Sequence, residues 1–134
     1  MYFTRAQEVA LAALPLLDPE GPSGIGRGAA EIAEAAGVPA PFLSKVLGRL
    51  ADRGLLRSRR GRRGGFVLGR PASEITLADI ALALDRRDGL ERAFPRVAGA
   101  AGDVLEPARR DFLERLRRTR LSDLAGSSAR PPHV

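Results

Sequence analysis

The segment from Val38 to Leu68, VPAPFLSKVLGRLADRGLLRSRRGRRGGFVL, leaves this chain few folds to choose from. Leu43, Val46, Leu47 and Leu50 recur at i, i+3, i+4 and i+7, which sets them on one apolar stripe of a helix. Phe42, Ser44, Lys45, Gly48 and Arg49 fall off that stripe and face outward or toward a neighbour. Gly54 stands where a helix end usually needs left-handed backbone. Leu55–Arg59 and Gly65–Leu68 then flank a glycine-bounded turn, the pattern of a two-stranded hairpin. The turn and its approach carry Arg57, Arg59, Arg60, Arg62 and Arg63. So much like charge in one short stretch opposes folding unless a polyanion receives it.

What precedes this segment reinforces it. Residues 29–36 read as a short helix with Ile32 and Ala33 inward and Glu31 and Glu34 outward. Gly37 makes a tight corner, and Pro39 opens the next helix, where a missing amide proton costs little. Two short helices around a glycine corner are a helix-turn-helix, although any helical corner can look the same. The hairpin that follows at once turns the pair into a winged helix. The expected fold is therefore mainly α with a small β-hairpin. Residues 1–85 form a winged helix-turn-helix domain, 86–125 a linker and long C-terminal dimerisation helix, and 126–134 a disordered tail.

The flanking segments complete the plan. Thr4 with Gln7 three residues later makes a capping box for a first helix, which Pro15 should kink or end. Residues 18–24 are a loop by composition. Thr76 with Asp79 caps a later helix whose inner face is Leu77, Ile80, Ala81 and Leu84. The stretch from Asp85 to Gly102 resists assignment, with Leu90, Phe94 and Val97 as isolated anchors. Pro107 suits the start of a last helix whose apolar stripe is Phe112, Leu113, Leu116 and, after a break near Ser122, Leu124. That stripe packs either on its own domain or, as expected for a dimerisation helix, on a second copy.

Composition sets limits on chemistry. With 134 residues, 44% of them hydrophobic, the chain suits one compact domain with an added helix. Its net charge of +6 favours an acidic partner. There is no cysteine, so disulfides, thiolate metal sites and cysteine nucleophiles are excluded. His133 is the one histidine and lies in the Pro-rich tail. Without histidine or cysteine in the folded part, no nucleophile, base and orienting group assemble, and catalysis is not expected. The carboxylate pairs Asp79 with Asp85 and Glu31 with Glu34 have the spacing of surface charge. The amino terminus reads as an amphipathic helix and not a leader, so a cytoplasmic protein without a membrane partner is expected.

These limits leave nucleic acid as the natural partner. A helix fits the major groove, and the start of the second helix, at Pro39, Ala40, Pro41 and Phe42, lies where a helix amino terminus can meet phosphate. Ser44, Lys45 and Arg49 lie further along the outward face, as candidates for base edges or phosphate. Arg59, Arg60, Arg62 and Arg63 are placed to clamp backbone or minor groove from the wing. A winged helix that binds a protein or RNA is the rival reading. A small-molecule or protein effector near 85–102 stays open, with no polar constellation to name it.

The run from Gly37 to Asp85 resembles the Rrf family of bacterial winged-helix transcriptional regulators, the relatives of IscR, NsrR and CymR. The resemblance rests on Gly54-Leu55, Arg60-Gly61, Gly64-Gly65-Phe66-Val67-Leu68 and Ile75-Thr76-Leu77-Ala78-Asp79-Ile80, with Phe3-Thr4 and Leu121-Ser122-Asp123-Leu124 near the ends. It implies a dimer held by the last long helix, binding a near-palindromic operator, and the expected role is that of a repressor. Many members hold an iron–sulfur cluster through three cysteines between the fourth and last helices. Here that stretch, RRDGLERAFPRVAGAAGDVLEP, has no thiol, and Glu8 alone, which matches an acidic cluster ligand of some relatives, cannot hold one. No cofactor is therefore expected. The family's wing also has a proline before the paired glycines, where this chain has Arg62-Arg63. That change implies stronger phosphate or minor-groove contact.

Overall fold

The structure is a computed structural model that describes residues 3–62, 64–85 and 96–124. Its five helices and one hairpin among those residues are α1 (Arg5–Ala13), α2 (Ala29–Ala36), α3 (Ala40–Asp52), β1 (Leu56–Arg59), β2 (Gly65–Leu68), α4 (Leu77–Ala83) and α5 (Gly99–Arg118). The fold is mainly helical with a two-stranded antiparallel hairpin, as expected. Arg63, the stretch 86–95 with Leu90 and Phe94, and the tail 126–134 lie outside the described residues.

Local chemistry sets most boundaries. Both capping boxes are present, with Thr4 and Gln7 on α1 and Thr76 and Asp79 on α4. Pro15 converts the chain after Ala13 into a 3-10 turn, Leu14–Leu16, because it has no amide to continue the α-helical ladder. Gly37 closes α2 in the left-handed region at φ 71°, and Gly54 follows α3 at φ 80°. In both places a side chain would strain the backbone.

The core joins the first three helices to the hairpin and α4. Leu14, Ile32, Leu43, Leu47, Leu50, Leu56, Leu68, Ile75 and Ile80 are fully buried. The buried stripe of α3 is therefore the one its spacing predicted. Truncating a fully buried leucine such as Leu47 to alanine costs about 2–5 kcal/mol. Leu77 is only half-buried, at the seam with α5.

The last helix departs from expectation. It starts at Gly99, so Pro107 lies inside it and does not open it. Pro107 has no amide to donate to the Asp103 carbonyl, and it is exposed. The break comes at Thr119, before a 3-10 turn at Leu121–Leu124. Backbone bonds from Leu77 N to Thr119 O (2.9 Å) and from Leu121 N to Ile75 O (2.9 Å) pin this end to the start of α4.

Candidate nucleic-acid interface

The wing leaves α3 with almost no slack. Leu55 N donates to Leu50 O at 3.0 Å, and Gly69 N donates to Leu55 O at 2.8 Å. The register pairs Leu56 with Leu68, Arg57 with Val67, Ser58 with Phe66 and Arg59 with Gly65. Burial of Leu55, Leu56, Val67 and Leu68 then holds the two strands against the body.

A third segment, invisible to period-2 reasoning, steadies the hairpin. Arg27 N donates to Phe66 O at 3.0 Å, and Phe66 N donates back to Arg27 O at 2.7 Å. A side chain at Gly65, whose φ is 108°, would stand 2.5 Å from the Arg27 carbonyl. The Arg27 side chain donates to Leu16 O at 2.8 Å and pairs with Glu31 at 3.2 Å. One residue making one bridge has no sequence pattern, which is why Arg27 escaped notice.

The expected contact residues divide into two groups. Pro39, Pro41, Ser44 and Lys45 are exposed on α3 and its cap, and Arg60 and Arg62 are exposed on the turn. Arg53 and Arg57, both exposed, extend the basic surface between them. The other group turns inward. Ala40 and Phe42 are half-buried and pack against the core. Arg49 donates to Leu84 O at 3.2 Å, which ties α3 to the end of α4 in place of an outward role. Arg59 donates to the carbonyls of Pro22 (2.9 Å) and Gly24, bracing the wing against the loop before α2.

The helix start needs a further correction. Neither Pro39 nor Pro41 has an amide hydrogen, and Leu43 N already donates to Pro39 O at 3.0 Å. Of Pro39, Ala40, Pro41 and Phe42, only Ala40 and Phe42 have an amide hydrogen that could meet phosphate.

The loop that Arg59 braces is itself tightly tied. The Asp18 carboxylate accepts from Glu20 N and Ile25 N, both at 2.9 Å. The Ile25 amide, then the Glu20 amide, and then the nearby Arg59 guanidinium hold the Asp18 carboxyl below its ordinary value.

The expected dimerisation residues also divide. Leu113 and Leu116 are buried within the one chain, against Ala78 and Ala81 of α4, with Phe3, Leu77 and Phe112 alongside. They are spent on intrachain packing and do not face outward. Phe112 and Leu124 are half-buried, and the Phe112 ring meets Phe3 with centroids 6.0 Å apart. The outward apolar face lies earlier on α5, where Val104 is 74% and Leu105 51% exposed.

With this geometry in place, likeness to known proteins is informative. The sequence profile of the Rrf2 family, described as an iron-dependent transcriptional regulator, matches residues 3–127. A Mycobacterium tuberculosis protein, named provisionally as an HTH-type transcriptional regulator, is 37% identical over 111 residues, which are 78% of this chain and 68% of that one. The HTH-type transcriptional regulator IscR of Photorhabdus laumondii is 36% identical over 74 residues, 55% of this chain and 45% of IscR. Among solved structures, CymR of B. subtilis, described as its global cysteine regulator, aligns with TM-score 0.72 at 26% identity, over 93% of this chain and 96% of CymR. The family description names iron, but this chain supplies no thiol, and its one histidine, His133, lies outside the described residues. Among the described residues no three His, Cys, Asp or Glu side chains group to hold a metal ion. The donor set does not fit an iron–sulfur cluster.

Proposed function

The chain belongs to the Rrf2 family and is a DNA-binding transcription regulator, and from that premise we propose that it acts as a homodimeric repressor at a near-palindromic operator. The observation that carries this reading is the shared exposure of Ser44 and Lys45 on α3 and of Arg60 and Arg62 on a wing braced beside it. In our reading α3 enters the major groove, where Ser44 and Lys45 meet base edges or phosphate. The wing arginines, Arg63 among them, then lie over the adjacent backbone or minor groove. Arg49 and Arg59 act behind this surface, by holding α3 and the wing in position.

The second copy docks on the outward stripe of α5. Ala101, Val104, Leu105 and Ala108, at i, i+3, i+4 and i+7, are all exposed there. Two-fold pairing through such a stripe presents two α3 helices to half-sites related by the same symmetry. The role is binding and not catalysis, no cofactor takes part, and the protein works in the cytoplasm. No helix among the described residues is long and apolar enough to cross a membrane.

Selection from a random pool of duplexes tests the reading. Recovery of one reproducible palindrome is the expected result. Recovery of no duplex, with specific capture of a protein or RNA in parallel pull-downs, would sink it.

A further inference from the structure

Gly48 lies in the middle of α3, on the face the fold leaves outward. Pro41, Lys45, Gly48 and Asp52 fall at i, i+4, i+7 and i+11, opposite Leu43, Val46, Leu47 and Leu50. After proline, glycine is the poorest residue for a helix interior, so its presence there calls for a cause. Other glycines have internal causes. Gly21, Gly37, Gly54, Gly61, Gly65 and Gly99 adopt positive φ, and a Cβ on Gly24, Gly64, Gly69 or Gly102 would collide with neighbouring atoms of the chain. Gly28 is the N-cap of α2, a position glycine suits. Gly48 has none of these: its φ is not positive, and a Cβ built there meets nothing within 4 Å.

We propose that Gly48 is the point of closest approach between α3 and DNA, with the groove wall resting on helix backbone in a gap that any side chain would fill. This rests on the DNA-binding reading above and adds how deeply the helix is seated. Glycine is the residue that lets another backbone come near. A helix seated that deeply also brings the short Ser44 hydroxyl, exposed one turn earlier, to the base edges.

The test compares the wild-type protein with Gly48→Ala and Gly48→Leu on a duplex recovered from the random pool, with a thermal melt of each protein. Both variants are expected to melt above wild type, since alanine and leucine are better helix formers. Affinity is expected to fall in the same variants, by about tenfold for Gly48→Leu, the scale of one lost base contact, and by less for Gly48→Ala. The salt dependence stays unchanged, because no charge is removed. Undiminished affinity in Gly48→Leu overturns the inference while leaving DNA binding intact. Lower melting temperatures in both variants overturn it too, by showing that the fold itself uses the gap. If the wild-type protein selects no duplex, the DNA-binding reading fails first and takes this inference with it.

Discussion

Because neighbouring residues on β1 and its turn point to different sides, Arg59 reaches back to the carbonyls of Pro22 and Gly24 while Arg60 stays exposed. The two arginines should therefore respond differently to the same change. Arg59→Ala is expected to lower the melting temperature, since it strips part-buried carbonyls of a charged donor, a loss of about 1.5–3 kcal/mol. Arg60→Ala with Arg62→Ala should leave the melt unchanged. In a salt titration of DNA affinity, the pair should flatten the log–log slope by roughly 0.9 per lost phosphate contact. An unchanged slope would remove the wing tip from the contact surface. Asp18 adds a pH signature. Its folded carboxyl titrates below its ordinary value, so its stabilising effect is present above the unfolded carboxylate range and disappears as pH falls through the folded value. Urea unfolding of Asp18→Asn should show a deficit against wild type at pH about 7 that shrinks as pH falls below the ordinary carboxylate range. Sequence composition identified all five wing-region arginines as basic, but hydrogen bonds over 35 and 37 residues of separation decided that Arg59 is a brace.

At the scale of elements, short-range chemistry was legible and long-range competition was not. The capping boxes, the stop at Pro15 and the left-handed glycines each depend on a few adjacent residues, and the structure has all of them. The start of α5 went astray because proline is favoured in a first helical turn and resisted in an interior. Here the helix forms through Pro107 because its carboxyl half is held by Leu113 and Leu116 on α4 and an i,i+3 pair links Glu106 to Arg109 at 3.2 Å. Replacing Pro107 with alanine should thus raise stability, by up to about 3 kcal/mol, and increase helical circular dichroism. Loss of stability would mean that the proline is needed where it stands. In the wing the reverse holds: Gly65→Ala should destabilise by more than about 1 kcal/mol, since it sets a side chain at φ 108° against the Arg27 carbonyl.

For the whole molecule, the buried and the exposed apolar residues of α5 fall on different parts of one helix. Leu113 and Leu116 serve the chain's own core, and Val104 with Leu105 faces outward. Val104→Glu with Leu105→Glu is expected to leave the far-ultraviolet circular dichroism near wild type, since both side chains are exposed. It should give a monomer by sedimentation and lower affinity for a two-half-site duplex. A variant that remains dimeric would place the contact elsewhere. By itself the sequence determined the winged helix-turn-helix and the location of its basic tip. Those follow from apolar periodicity, glycine placement and charge, which act between near neighbours. Only the tertiary structure decided which arginines are struts, which leucines of α5 are already covered, and that Arg27 stitches the wing to the body. The physical reason is that a side chain's duty depends on what arrives beside it from distant segments, and no local spacing encodes that arrival.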